Sequence, residues 1–167
     1  GGFSYLLNHG IWYDNAHQYH ATTQTAVGHT TLATGTPPKI HGIIANHWWD
    51  ARRQREIYAV EDGNDVRSPR NILVESFSDA LSKASNGKSK RFAVSTKDRG
   101  AIPLAGKKGK AFWFDRETGL YVSSPYYYKQ LPQWVNRWNS KKHVNQYLSK
   151  SWTLSKPCKH YLFCNDG

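Results

Sequence analysis

The amino-acid sequence predicts an α/β fold, in which short apolar strands alternate with amphipathic helices. One observation is the strand-like pattern of residues 90–96, where Phe92 and Val94 stand two positions apart. Another is the helical spacing of Val74, Phe77 and Leu81. The 167 residues are about one domain in length, with no internal repeat or low-complexity linker.

The first half of the chain gives five local predictions. In order, these are a short helix through Phe3, Leu6 and Leu7 that stops at Gly10, an aromatic-rich strand over 11–19, a helix from Thr25 to just before Gly35, an extended turn at Pro37-Pro38, and a buried strand over 40–45. Asn46 follows at the exit of this last predicted strand.

The second half continues the alternation. It predicts a loop at Trp48, Trp49 and 52–55, a strand over 56–60, a turn over 63–69, a helix ending near Asn86-Gly87, the strand over 90–96, a hairpin of 111–115 and 120–127 around 117–119, and a helix over 132–138. The segment Lys97-Asp98-Arg99 follows a strand, and ligand-binding loops of α/β sheets gather at such positions. From Ser140 onward the chain is basic and polar with weak periodicity.

Positive charge is concentrated in one segment. The formal net charge is +11, and residues 81–110 contain nine lysines and arginines against one acid, Asp98. We interpret this segment as a solvated basic face. A nucleic-acid-binding patch and a field that attracts anionic substrates are the two alternatives. The sequence predicts no membrane span, because no window approaches the roughly 18 apolar residues that a span needs.

The ends of the chain carry two further features. The sequence has no methionine and opens on Gly1-Gly2-Phe3, so we expect its natural start, any signal peptide and a first strand to lie upstream. Cys158 and Cys164 are six positions apart, and no histidine stands at a spacing that would complete a zinc finger. From the sequence alone these two cysteines could pair or stay free.

Thr25 is the candidate functional residue that the pattern singles out. It stands at a predicted helix start, where backbone N–H groups and the positive end of the helix dipole favour an anion such as phosphate. His17, His20, His29 and His41 lie nearby in sequence, but they are spread over a strand, a turn and a helix. We interpret them as packing or supporting groups rather than as metal ligands.

The motifs resemble those of the alkaline phosphatase superfamily, the type I phosphodiesterase and nucleotide pyrophosphatase-like enzymes, and within it the bacterial branch with a threonine nucleophile. The similar segments follow in order along the chain: Thr23-x-Thr25-Ala26-Val27-Gly28-His29-Thr30-Thr31, Thr34-Gly35-x-x-Pro38-x-x-His41-Gly42-Ile43, Asn46-x-Trp48-x-Asp50, Ser68-Pro69-Arg70-Asn71, Lys97-Asp98-Arg99, Ala111-Phe112-Trp113-Phe114-Asp115 and Leu131-Pro132-x-Trp134-Val135. This ordered agreement is far more specific than any single motif.

The resemblance implies a fold and a site. The fold would be part of an α/β/α sandwich, truncated at both ends, with residues 1–167 forming the N-terminal portion of the catalytic domain. Thr25 would be the nucleophile and a zinc ligand, and Asn46, Lys97 and Arg99 would hold the phosphoryl oxygens. Two zinc ions would complete the enzyme, with their other ligands outside residues 1–167. The isolated chain is therefore expected to bind no zinc tightly, and the parent protein to be periplasmic or secreted.

The resemblance implies a phosphomonoesterase, because two cations suit the dianion of a monoester. One alternative is a nucleotide pyrophosphatase or phosphodiesterase of the same superfamily, in which the Lys-x-Arg pair is generally absent. A second is a non-catalytic module that binds nucleic acid through aromatic and basic side chains. The separation of most aromatic residues from the basic segment speaks against that module. The sequence indicates neither the physiological ester nor the oligomeric state.

Overall fold

The computed structural model describes residues 2–63 and 66–164. Its helices are α1 (Gly2–His9), α2 (Thr25–Thr34), α3 (Pro38–His41), α4 (Phe77–Ala84), α5 (Asp98–Ala105) and α6 (Gln133–Ser140). Its strands are β1 (His47–Asp50), β2 (Arg55–Tyr58), β3 (Phe92–Ser95), β4 (Lys110–Asp115) and β5 (Leu120–Val122). Two short 3₁₀ helices follow, at His143–Tyr147 and Cys158–His160. This mixture of helices and sheets confirms the predicted α/β class.

The strands form two small sheets. In the first, β1 and β2 pair antiparallel with Trp48 opposite Ile57. In the second, β4 lies between β3, to which it is parallel, and β5, to which it is antiparallel. Parallel neighbours need a crossover connection, and α5 supplies it between β3 and β4.

The core lies where α5 packs against α2 and against the neighbouring strands β3 and β4. It is built from small and medium apolar side chains, including Val27, Ala101, Ile102 and Ala111, all of which are buried. Such side chains let helix backbones approach closely, so the relative position of α2 and α5 is fixed by packing. The N-terminal ends of both helices belong to the candidate site described below.

Six predicted elements appear close to their expected bounds: α1, α2, β2, α4, β3 and α6. The hairpin is also confirmed, although its second strand ends at Val122 rather than at 127. Beyond Val122 the chain turns, with the N–H of Tyr127 donating to the carbonyl of Ser124 (3.0 Å). The predicted turn over 63–69 contains Asn64 and Asp65, which lie outside the described residues. On either side of them, the N–H of Asp62 donates to the carbonyl of Val66 (2.9 Å).

The strand predicted over 11–19 is wrong. The aromatic content of that segment favours a strand, but none of the described strands pairs with it, and Ile11, Trp12, Tyr13 and Tyr19 are exposed. An unpaired segment gains none of the ladder hydrogen bonds that make a strand stable. The conformation of this segment therefore depends on whether another strand pairs with it, which the local sequence pattern does not indicate.

The predicted buried strand over 40–45 is also wrong. Pro37 is extended and precedes the single turn α3, which ends at Gly42 with a φ of 83°. A proline in the first turn suits a helix start, and a left-handed glycine suits a helix end. The predicted loop at Trp48 and Trp49 is instead strand β1, held by its pairing with β2.

The segment Lys97-Asp98-Arg99, predicted as a loop, is the start of helix α5. Gly100 and Pro103 lower the helix propensity of this stretch, which hides the helix in the sequence. Burial of Ala101, Ile102 and Ala105 against α2 and β4 outweighs that local cost. The three residues therefore occupy the N-cap and first turn of a helix, where the N–H of Lys97 donates to Ser95 Oγ (3.3 Å) and the N–H of Arg99 donates to Asp98 Oδ1 (2.7 Å).

The cysteine question left open by the sequence is answered by a disulfide between Cys158 and Cys164. Their Cα atoms lie 5.5 Å apart, within the usual range for a disulfide.

No helix in residues 2–63 and 66–164 has the length and apolar character needed to cross a membrane.

Helix α4 carries a reciprocal cap that yields a first prediction. The N–H of Asp79 donates to Ser76 Oγ (3.2 Å), and the N–H of Ser76 donates to Asp79 Oδ2 (3.1 Å). Ser76→Ala should lower the free energy of unfolding by about 1 kcal/mol, because one helix N–H loses its acceptor in a buried position. The measurement is urea unfolding, with Ser82→Ala in the same helix as the control. Equal stability of the two variants would contradict this account of the cap.

Candidate active site

The start of helix α2 lies where the sequence predicted. Gln24 is the N-cap, in extended conformation and without a side-chain cap bond, and Thr25 is the first helical residue. Thr25 is half-buried, and its backbone carbonyl contacts Nδ1 of His29 one turn later (2.9 Å). The hydroxyl of Thr25 thus stands at the positive end of the helix dipole, beside N–H groups that lack helical partners.

Asn46 is fixed against this helix start on both sides of Thr25. Its Oδ1 accepts the N–H of Ala26 (2.9 Å), and its own N–H donates to Oε1 of Gln24 (2.5 Å). Its carbonyl accepts the N–H of Ala59 (2.9 Å), just after β2. Since Oδ1 is occupied as an acceptor, the Nδ2 group is left to donate, and it has no acceptor among the described residues. The Nδ2 group of Asn46 is therefore a neutral hydrogen-bond donor close to Thr25.

Helix α5 brings Lys97 and Arg99 to the same region. Lys97 is the extended N-cap of this helix and makes no side-chain cap bond. A Cβ atom at Gly100 would lie 2.6 Å from Oγ of Ser95 and 3.6 Å from Nε2 of His29. Glycine avoids this collision without movement of Ser95, and the beginning of α5 packs against His29 in α2. The two helix N-termini, and with them Thr25 and Arg99, therefore lie on the same side of the core.

The side chain of Arg99 is held on one edge only. Its Nη1 donates to the hydroxyl of Tyr58 (3.0 Å), whereas its Nε is buried without a hydrogen-bond partner among the described residues. Buried donors in folded proteins are nearly always paired, so an unpaired Nε indicates that a partner belongs there. The edge formed by Nε and Nη2 is the fork that binds two oxygens of a carboxylate or phosphate. Lys97 makes no ion pair within residues 2–63 and 66–164.

A network of charges surrounds Arg99. Tyr58 donates its hydroxyl hydrogen to Oδ1 of Asp98 (2.5 Å), and Oδ2 of Asp98 faces Nε of Arg67 (3.3 Å). The guanidinium of Arg67 also lies 5.3 Å from the centre of the Tyr58 ring, within cation–π range. Burial and donation to Asp98 raise the pKa of Tyr58 to about 12. Tyr58 therefore remains a neutral hydroxyl at neutral and moderately alkaline pH.

An open cleft of about 850 Å³ lies in front of these groups. Lys97 and Arg99 line it, as does His47, which follows Asn46 in the chain. Thr25 and Asn46 are not among the lining residues. Lysines and arginines outnumber acids in the lining: Arg55, Arg67, Lys97, Arg99 and Arg116 against Glu61, Asp98 and Asp115. An excess of positive charge in a concave surface attracts anionic substrates.

The four histidines weighed as metal ligands are dispersed. His17 contacts Asn15, His29 contacts the carbonyl of Thr25, and His41 is buried with Nε2 against the hydroxyl of Thr31 (3.1 Å). Burial, and to a smaller extent the charge of nearby His20, lowers the pKa of His41. Across residues 2–63 and 66–164, no three His, Cys, Asp or Glu side chains are grouped so that they could hold a metal ion. The described residues thus do not fit a two-zinc site, to which they would bring the Thr25 hydroxyl alone.

Sequence reasoning missed part of this site. It named Asp98 only as a local counter-charge, and it gave no signal for Tyr58 or Arg67, which lie on other elements. Tyr58 is 40 positions from Asp98 in the chain, so their contact depends on the packing of β2 against the start of α5.

The described fold agrees with that of one group of hydrolases. Residues 1–161 match the family model described as type I phosphodiesterase / nucleotide pyrophosphatase. The chain belongs to this family, which lies in the alkaline phosphatase superfamily, and the resemblance of its motifs is thereby confirmed.

Two of the relatives that the chain resembles are named alkaline phosphatases. The chain is 39% identical over 172 residues to "Alkaline phosphatase PhoV" of Synechococcus elongatus, covering 96% of this chain and 31% of that protein. It is also 39% identical over 173 residues to "Alkaline phosphatase PafA" of Elizabethkingia meningoseptica, covering 96% of this chain and 32% of that protein. The chain thus spans about a third of the length of these curated relatives.

Solved structures of PafA agree with the fold. The wild-type crystal structure matches with a TM-score of 0.89 and 38% identity, over 94% of this chain and 32% of that one. A variant of PafA in which a threonine, an asparagine, a lysine and an arginine are substituted matches with a TM-score of 0.83 and 35% identity, over 87% of this chain and 31% of that one.

The raised pKa of Tyr58 gives a prediction about stability at high pH. A pKa of about 12 in the folded state, against about 10 for an ordinary tyrosine, favours folding while the phenol is protonated. This contribution is complete below about pH 10 and is lost as the pH rises towards 12. The free energy of unfolding should fall more steeply over this range in the wild type than in Tyr58→Phe. Urea unfolding at stepwise higher pH measures it, and parallel curves for the two proteins would refute it.

Proposed function

We propose that this chain supplies the nucleophile and the phosphate-holding part of a phosphomonoesterase, with Thr25 as the nucleophile and Asn46, Lys97 and Arg99 around the phosphoryl group. The observation that carries the proposal is the packing of α5 against α2, two helices that each begin with unoccupied donors. Thr25 and Asn46 stand at the start of α2, and Lys97 and Arg99 stand at the start of α5. Three segments that are distant in the sequence thus offer one anion several donors at once.

Each side chain has a role suited to its chemistry. The Nε and Nη2 edge of Arg99 binds two phosphoryl oxygens as a fork, and Lys97 adds a point charge without fixed geometry. The Nδ2 group of Asn46 donates without adding charge. The first turn of α2 can add backbone N–H groups other than that of Ala26, which donates to Asn46. Together they place the phosphorus atom in front of the Thr25 hydroxyl, ready for in-line attack.

In the proposed reaction, Oγ1 of Thr25 forms a bond to phosphorus while the bond from phosphorus to the leaving oxygen breaks. The hydroxyl proton of Thr25 is released, and the leaving oxygen takes up a proton. Water then attacks the phospho-threonine, freeing phosphate and restoring the hydroxyl. Charge on the phosphoryl oxygens is stabilised throughout by Asn46, Lys97 and Arg99.

The spacing in a relative supports the assignment. The threonine and asparagine substituted in the PafA variant are 21 positions apart, as are Thr25 and Asn46 here, and its lysine and arginine are two apart, as are Lys97 and Arg99. The four residue types also occur in the same order along both chains. This agreement favours a common role for the four side chains.

Activation of the threonine hydroxyl is the part that these residues do not provide. A free threonine is a poor nucleophile at neutral pH, and none of the described carboxylates or imidazoles forms a hydrogen bond with Oγ1 of Thr25. The resemblance implies two zinc ions for this task, and their ligand set is not supplied by the described residues. The described residues therefore bind and orient the phosphoryl group, and activation of Thr25 requires groups beyond them.

The second candidate function is hydrolysis of a phosphodiester or nucleotide pyrophosphate, which the description of the matching family favours. Two cations at one phosphoryl group, Lys97 and Arg99, favour the monoester, because its dianion carries more charge for them to neutralise.

The disulfide between Cys158 and Cys164 supports the proposed secreted or periplasmic location, since disulfides persist in oxidising compartments.

The roles of Thr25 and Arg99 can be separated by mutation in the full-length protein. Thr25→Ala should abolish turnover of an aryl phosphate monoester. Arg99→Ala should lower kcat/KM for that monoester on the order of a hundredfold, because a preorganised charge contact is lost, and should lower it much less for a diester. Arg137→Ala, on the exposed surface of α6, is the control for removal of an arginine. Equal losses for both substrates would make Arg99 a structural residue instead.

A further prediction concerns the 167-residue chain on its own. It should bind zinc weakly and should not hydrolyse phosphate esters, because a catalytic zinc needs about three protein ligands and the described residues do not group them. Calorimetric titration with zinc, followed by an aryl phosphate assay, measures both properties. Tight stoichiometric binding accompanied by turnover would mean that ligands among His17, His20, His29 and His41 rearrange to form a site.

A further inference from the structure

Tyr58 stands between Asp98 and Arg99, two residues of opposite charge that are neighbours in the chain. Its hydroxyl accepts from Nη1 of Arg99 (3.0 Å) and donates to Oδ1 of Asp98 (2.5 Å). The direct separation of Nη1 of Arg99 from that same carboxylate oxygen is 4.0 Å, which is too long for a hydrogen bond. The tyrosine oxygen therefore occupies the position in which the arginine and the aspartate would otherwise meet.

Asp98 has its own partners in this arrangement. Oδ2 faces Nε of Arg67 at 3.3 Å, and Oδ1 accepts the backbone N–H of Arg99 (2.7 Å) as well as the hydroxyl of Tyr58. The negative charge of Asp98 is thus balanced mainly by Arg67. A direct bidentate pair between Asp98 and Arg99 would use the fork of Arg99 and neutralise its charge.

We propose that Tyr58 is a positioning residue that fixes Arg99 through Nη1 and keeps its Nε and Nη2 edge free of Asp98, so that this edge is available to a phosphoryl group. This inference rests on the proposed function, since it assumes that Arg99 contacts the substrate. It assigns to Tyr58 a contribution to catalysis without contact with the substrate. The Tyr58 side chain acts through the orientation and the free charge of Arg99.

The surroundings of Tyr58 suit a fixed support. The residue ends strand β2, where it pairs with His47, and the two rings lie 4.7 Å apart. The ring is also within cation–π range of both Arg67 and Arg99, at 5.3 and 5.9 Å. Because the phenol is protonated up to a pKa of about 12, the hydroxyl can donate to Asp98 while it accepts from Arg99 in alkaline solution. Phenylalanine would keep the ring contacts and remove only this bridging oxygen.

The test is a double-mutant cycle of Tyr58→Phe and Arg99→Ala in the full-length protein. Tyr58→Phe should lower kcat/KM for an aryl phosphate monoester, and should weaken inhibition by inorganic phosphate, each on the order of tenfold. In the Arg99→Ala background the same substitution should change both quantities less than about twofold, because the group that it positions is absent. Tyr126→Phe, which removes a hydroxyl that bonds Lys107 outside the arginine network, is the matched control.

The outcomes separate this inference from the proposed function. Suppose that Arg99→Ala lowers kcat/KM and that Tyr58→Phe lowers it tenfold both in the wild type and in the Arg99→Ala variant. This result would overturn the positioning role of Tyr58 and leave the proposed function intact. Failure of Arg99→Ala to affect the monoester would overturn the proposed function itself. Inhibition by phosphate is measured only in variants that unfold in urea like the wild type. A change in inhibition then does not come from misfolding. The inference is supported if Tyr58→Phe lowers kcat/KM only in the protein that contains Arg99.

Discussion

The anchoring of Asn46 to the start of helix α2 is the interaction on which the candidate site depends. One side chain and its backbone bond both neighbours of Thr25, at Gln24 and at Ala26, and also reach Ala59 after β2. These three bonds tie the nucleophile candidate to the β1–β2 sheet. They also use the acceptor side of the Asn46 amide, so that its donor side remains for an anion.

Small residues extend this arrangement to the second helix. The α2–α5 contact is formed by residues such as Val27, Ala101 and Gly100, and a side chain larger than glycine at Gly100 would collide with Ser95. Close packing brings the first turn of α5 against His29 of α2, so the positive ends of both helices contribute to the potential of this region. Asp98 supplies negative charge at the start of α5, and a bound anion would supply more. In the proposed function, the packing of the core and the binding of an anion therefore have a common origin.

Much of this could be predicted from residue patterns, and the failures have identifiable causes. Thr25 at a helix start followed from the hydroxyl residues before it and from Gly35, both of which are local signals. Helix α5 was hidden by Gly100 and Pro103, because its stability comes from burial rather than from propensity. The false strand over 11–19 arose because a strand needs a partner that a local pattern does not report. The role of Tyr58 could not be predicted, since it depends on a contact between residues 40 positions apart.

The central claim is that Thr25, Asn46, Lys97 and Arg99 surround a single phosphoryl group. A crystal structure of the full-length protein with bound inorganic phosphate tests it most directly. We predict one phosphate with an oxygen pair on Nε and Nη2 of Arg99, a contact to Nδ2 of Asn46, and its phosphorus facing Oγ1 of Thr25. A phosphate bound elsewhere in the cleft, with the Nε of Arg99 still unpaired, would contradict the account.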